Sequence, residues 1–235
     1  MNKDNILFGI IGLLLGLIIG FIFANSINQR GQNATFSAGT QNQSLPPDHP
    51  PVTQPGAQSG PDMQAAQGAI NQAKADPNNF NAQMKAADYT YQLQRFDDAI
   101  QFLQRANQLQ PDNYEAIVQL GNVNFDANRF EEAEKWYTSA LKIKPDDVNV
   151  RTDLGLTFYF RNPPDVDRAI KEYRASLAID PNHVQTLQNL AVALIKKGSA
   201  DEAKQALAKL ESVSPNNPAL PRLRSDLEAL QSGKK

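Results

Sequence analysis

The groups that most often carry out covalent or metal chemistry are sparse in this chain and poorly placed for it. Its two histidines, His49 and His183, stand far apart, and neither has carboxylates around it at metal-ligand spacing. Cysteine is absent, which removes thiol nucleophiles and a lipid anchor through an N-terminal cysteine. No glycine-rich phosphate loop or nucleophile elbow occurs. Paired carboxylates do occur, as Asp97-Asp98 and Glu131-Glu132. They fall at the starts of expected helices, where the helix dipole favours negative charge. The expectation is therefore a protein that is not an enzyme and that uses no cofactor and no metal. A net charge of −2, without a basic stripe, also argues against nucleic acid as a partner. What remains is non-covalent recognition, which depends on the scaffold that presents the side chains.

Five prolines measure that scaffold. Pro77, Pro111, Pro145, Pro181 and Pro215 recur at spacings of 34, 34, 36 and 34 residues. A fixed period in the thirties with helical patterning between the prolines means stacked helix–turn–helix units. Proline suits these positions because it cannot continue a helix and so ends the second helix of each unit. The spacing predicts four helix pairs: 80–93 with 96–109, 113–127 with 130–143, 147–161 with 165–179, and 183–197 with 200–213. A leading helix is expected over 62–76, with Asp62 as its N-cap. A C-terminal helix over 217–232 presents Leu220, Leu223, Leu227 and Leu230 on one face and charge on the other, the pattern of a solubilising cap. The two extra residues of the third unit fall at Arg161-Asn162-Pro163-Pro164, where a longer loop is expected.

The residues inside the units resemble tetratricopeptide repeats. The second unit supplies Ile117, Leu120, Gly121, Ala133, Tyr137, Ala140 and Pro145 at the family's offsets. The third supplies Leu154, Gly155, Phe158, Ala169, Tyr173 and Pro181, and the fourth Leu187, Leu190, Ala191, Leu194, Ala203, Leu207 and Pro215. The first is the most degenerate, with Ala86, Ala87, Ala99, Leu103, Ala106 and Pro111. The match covers 80–215. Small residues such as Gly121 and Gly155 are expected where the two helices of a unit cross closely.

The resemblance implies an all-α, right-handed solenoid whose concave face is lined by the first helix of each pair. On it the family's groove positions give Met84, Lys85 and Asp88 in the first repeat, and Gln119, Asn122 and Asp126 in the second. The third gives Thr152, Asp153 and Leu156, and the fourth Gln188, Asn189 and Val192. Amides in this set can both donate to and accept from a peptide backbone, and apolar members can form side-chain pockets. The partner class implied is a peptide or helical segment of another protein. Family members that clamp an acidic C-terminal tail use lysine, asparagine and arginine at positions held here by Met84, Asp88, Gln119, Asn149 and Asp153. The bases are missing, and two of the replacements are acids, so an acidic chaperone tail is not the expected ligand.

Upstream of the repeats the chain changes character twice. Residues 6–24 are free of charge, and 19 helical residues rise about 28 Å, close to the roughly 30 Å of a bilayer's hydrocarbon core. A transmembrane helix is expected, with a cleaved signal peptide as the alternative. Lys3 and the amino group favour a cytoplasmic N-terminus, which places the repeats outside the inner (plasma) membrane of a bacterium. Gly12, Gly16 and Gly20 share one face of this helix, a spacing that permits close helix–helix contact and hence a homodimer. Residues 25–61, rich in Pro, Gln, Asn and Ser, are expected to be a disordered linker. The whole architecture resembles bacterial membrane-anchored tetratricopeptide assembly factors, including those of cytochrome c biogenesis. The expectation is thus an assembly scaffold acting through its groove. The alternative is a structural brace of an envelope complex, oligomerised by its membrane helix.

Overall fold

A computed structural model describes residues 63–233 of the chain, and among these the regular structure is entirely helical. The expected span at 6–24, its Gly12, Gly16 and Gly20 face, the linker at 25–61 and the Asp62 cap lie outside the described residues. Among the described residues no helix is long and apolar enough to cross a membrane.

A leading helix α1 (Met63–Ala75) is followed by four pairs. These are α2 (Phe80–Gln92) with α3 (Phe96–Leu109), α4 (Tyr114–Asp126) with α5 (Phe130–Ile143), α6 (Val148–Phe160) with α7 (Val166–Ile179), and α8 (Val184–Lys197) with α9 (Ala200–Val213). Helix α10 (Leu220–Gln231) closes the stack. Each helix packs against its neighbours in sequence, and α10 also reaches α8. The result is a one-dimensional solenoid in which each repeat leans on the next.

Local chemistry sets the ends of these helices. Three of the first helices are capped by Asn79, Asn113 and Asp147, whose side chains accept from the N–H groups of Ala82, Ala116 and Val150 at 2.9–3.1 Å. Each cap satisfies a donor that the helix itself leaves unpaired. The turns inside the pairs need one residue in the left-handed region, taken by Gln94, Asn128 and Gly198. After the turn, the N–H of the residue preceding the second helix returns to a carbonyl five residues back: Arg95 to Thr90, Arg129 to Asn124, Ser199 to Leu194. In the third repeat the same bond runs from Asp165 to Phe158, at 2.8 Å and seven residues back. The two inserted residues are looped out while the closing bond is kept. The Asn162–Pro163 peptide in that loop is cis.

Between the helices of a pair the packing is close. A Cβ added to Gly121 would lie 2.5 Å from the ring of Tyr137, and one added to Gly155 would lie 2.4 Å from the ring of Tyr173. Both tyrosines are almost wholly buried. In the first and fourth repeats the same two positions hold Ala87 with Leu103 and Ala191 with Leu207, all buried. Glycine therefore accompanies the large ring and alanine the smaller leucine, which keeps the interior at constant density.

One polar knot interrupts this core. Thr152, Ser176 and Thr186, each 0% exposed, bring their hydroxyls within 2.6–3.1 Å of one another. Thr152 and Ser176 also donate to the Val148 carbonyl, and His183 Nδ1 lies 2.6 Å from the Thr186 hydroxyl. Burial lowers the pKa of this imidazole, against the pull of Asp180 and Asp147.

Candidate binding groove

The face to which the repeat positions assign a ligand divides into reachable and interior residues. Lys85 and Asp88 are exposed, and Gln119, Asn122, Asp126, Asp153, Gln188 and Val192 are half-buried. Met84, Leu156 and Asn189 are buried, with 9%, 7% and 5% of their surface open, so they form a floor rather than a rim. Thr152 belongs to the hydroxyl knot between α6, α7 and α8, where a groove ligand does not reach it. A β-type hydroxyl at that position was not distinguishable in sequence from one pointing into the groove.

The reachable residues are linked from repeat to repeat. Gln119 on α4 donates to Asp88 on α2, and its Nε2 also lies 3.5 Å from Glu115 Oε1. One amide thus serves two carboxylates. The Asp88 carboxyl is raised above the usual carboxylate range by partial burial and by the Glu115 charge, with the Gln119 bond opposing both. Further along, the Tyr91 hydroxyl donates to Asp126. Burial pushes the Asp126 carboxyl up to about 6 in spite of that bond. On the next row the Tyr137 hydroxyl donates to Asn122 Oδ1 at 2.9 Å.

At the third repeat the chemistry of this row changes. Leu156 occupies the row held by Asp88 and Asn122 and offers no acceptor. Tyr173, the counterpart of Tyr137, is buried with its hydroxyl unpartnered, and so is the Nδ2 group of Asn189. The aromatic residues of the first helices are committed to packing. Phe125 meets Phe130 edge-on with centroids 5.4 Å apart and Phe160 at 6.0 Å, and Tyr159 meets Phe160 at 5.1 Å.

At its far end the face continues past the groove positions of the four repeats into α10. Lys196 sits 4.5 Å over the Tyr159 ring, while Arg222 and Asp226 of α10 act electrostatically on the Tyr159 hydroxyl. Arg222 follows Gln188, and Asp226 follows Val192, by the same 34 residues that separate the last two prolines. The phase of the repeat runs on into the capping helix, and that was the available signal.

Two other features do not compete as sites. No group of His, Asp or Glu among the described residues could hold a metal ion. An open hollow of about 440 Å³ lies beside the turns at 94–98 and 126–129; Arg95 pairs there with Asp98 and Arg129 with Asp97, and the Asp126 carboxylate accepts from the Tyr91 hydroxyl.

Comparison with known proteins agrees with this geometry. Family profiles described as tetratricopeptide repeat match residues 90–152 and 165–227, together more than half of the chain, and another of the same description matches 62–114. A crystal structure of MamA is similar at 25% identity and a TM-score of 0.59, over 64% of this chain and 86% of that one. MamA residues 41 to the end from Desulfovibrio magneticus RS-1 align at 15% identity and a TM-score of 0.60, over 66% and 86% of the two chains. YrrB, described as a TPR protein with an unusual peptide-binding site, aligns at 18% identity and a TM-score of 0.60, over 69% and 82%. No curated protein matches the chain. The solenoid, its period and the matched profiles lead to one statement: the chain belongs to the tetratricopeptide repeat family.

Proposed function

We propose that this protein is a membrane-anchored scaffold that holds an extended or helical segment of a partner protein on the face formed by α2, α4, α6 and α8. The observation that carries the reading is the continuous row of amide, acidic and apolar side chains from Lys85 to Val192, presented by consecutive first helices. Such a row supplies main-chain hydrogen bonds and side-chain contacts at repeat spacing. The similarity to YrrB in fold is consistent with peptide binding, and groove capture is the use that the family makes of this surface.

The apolar stretch at 6–24 provides the anchor in this reading and the linker at 25–61 the reach, roughly 35 Å for a flexible chain of 37 residues. The repeats then work on the extracytoplasmic side of a bacterial inner membrane, as an assembly or biogenesis factor. The second reading, a brace that oligomerises through its membrane helix, is favoured by the spacing of Gly12, Gly16 and Gly20.

Site-specific photo-crosslinking in membranes separates the two. A benzoylphenylalanine placed at Lys85 or Gln188 should form adducts with a defined partner, and one placed at exposed Lys171 on α7 should not. Adducts from Lys171 alone would move the function off this face.

A further inference from the structure

We propose that Leu156 sets the specificity of the groove: where the third repeat meets the fourth, the partner segment lays an aliphatic or aromatic side chain on Leu156 and Val192, and Asn189 holds the main-chain peptide beside it. This rests on the reading that the face binds a peptide, and it names what that peptide must carry.

The second repeat shows what the third gives up. Asp88, Asn122, Leu156 and Val192 hold one position in successive repeats, at spacings of 34, 34 and 36 residues. In the second repeat the Tyr137 ring packs on Gly121, and its hydroxyl reaches the residue that follows, donating to Asn122 Oδ1 at 2.9 Å. In the third repeat the Tyr173 ring packs on Gly155 in the same way, 2.4 Å from where a Cβ would stand. The residue that follows is Leu156, and the buried Tyr173 hydroxyl has no acceptor.

Asn189 comes to the same place from the fourth repeat. The 2.6 Å contact of Thr152 with Thr186 sets the register of α6 against α8. One helical turn further along each, Asn189 is level with Gly155 and Leu156. It is 5% exposed, and its side chain makes no hydrogen bond among the described residues. Nδ2 is sealed in the empty groove. A half-turn about χ2, a soft two-fold torsion, exchanges the ends of the amide and brings the N–H edge to the groove.

Packing alone does not select an idle hydroxyl and an idle amide on the two sides of one leucine, because each buried donor without an acceptor costs stability. An asparagine at 156, as at 122, would serve the hydroxyl. Leucine instead gives an apolar surface that runs on into half-buried Val192, Tyr159 and Ile195. Local rules are broken in this way where a site serves a ligand. An apolar side chain laid on Leu156 leaves water, and the peptide group beside it supplies the Asn189 amide with both a donor and an acceptor.

The test pans a displayed library of random linear peptides against the full-length chain in detergent micelles. Wild type is compared with Leu156→Asn, which copies the second repeat, and with Asn189→Ala, each checked by circular dichroism and urea unfolding. Because Asn189 bonds nothing in the free protein, its removal should leave the urea midpoint near that of wild type. Peptides selected by wild type should carry an aliphatic or aromatic residue at one register. That enrichment should fall about fivefold with Leu156→Asn, and capture of the selected peptides about tenfold with Asn189→Ala. Three results would each overturn the inference and leave groove binding standing: no apolar preference, a preference that survives Leu156→Asn, or unchanged capture by Asn189→Ala. Lost capture together with a lowered midpoint would make Asn189 a packing residue and overturn it too. Failure to capture any peptide also sinks the inference, and if crosslinkers at Lys85 and Gln188 are silent as well, the groove reading falls with it.

Discussion

At the scale of single residues, Gly121 and Tyr137 define what holds each repeat together. The Tyr137 ring lies where a Cβ on Gly121 would go, at 2.5 Å, and a rigid ring cannot yield as a flexible chain end would. Gly121→Ala should therefore destabilise the protein by about 1–3 kcal/mol through overpacking, even though alanine favours a helix over glycine by about 1 kcal/mol. Adding Tyr137→Leu recreates the alanine–leucine pair that the first and fourth repeats already use, and should recover most of the loss. Denaturant unfolding of wild type, both single variants and the double variant gives the coupling directly. If the double variant loses the sum of the single losses, the two positions are not the compensating pair described here. The small residue and the tyrosine were each legible in the sequence as packing residues. Their opposition across one helix crossing needed the coordinates, as did the burial of Thr152, because a threonine on a first helix can face either the groove or the neighbouring repeat.

At the scale of elements, the prolines were a dependable ruler because a helix cannot run through them, and the pair boundaries follow from their positions. The observed helices begin or end within one residue of the expected pairs, and only α10 starts noticeably later, at Leu220. There Asn217 accepts from the Ala219 N–H at 2.9 Å, forming a turn before the helix begins. The irregular third repeat was readable as a longer loop. Less readable was why the stack tolerates it, which the Asp165 to Phe158 bond explains. Because that bond replaces the five-residue closure of the other repeats, the added length does no work in holding α6 to α7. Deleting Asn162 and Pro163, both exposed, should restore the 34-residue period, leave the Arg161–Glu134 pair in place and change the melting temperature by no more than a few degrees. A large drop would show that the loop itself supports the pair.

At the scale of the whole solenoid, stability is a sum over repeats and the interfaces between them, so the ends matter out of proportion to their length. Helix α1 closes one end with Ala66, Ala69, Ile70 and Ala73 turned inward and a polar face outward. It is tied by Gln83 Nε2 donating to the Ala73 carbonyl at 2.8 Å. Helix α10 closes the other by burying Leu220, Leu223 and Leu227 against the last pair. Burying three leucines is worth on the order of 5 kcal/mol before the cost of ordering the helix. A chain ending at residue 217 should lose several kcal/mol of stability, and the loss should concentrate in α8 and α9. Hydrogen exchange would resolve this as reduced protection of the fourth repeat with little change in the first. Uniform loss of protection would mean that the stack unfolds as one unit. The same truncation removes Arg222 and Asp226, which continue the groove rows past the fourth repeat, so crosslinks from Gln188 should weaken while those from Lys85 persist. The capping helix would then be both the seal of the core and the last rung of the binding face, two roles that one 34-residue phase is enough to assign.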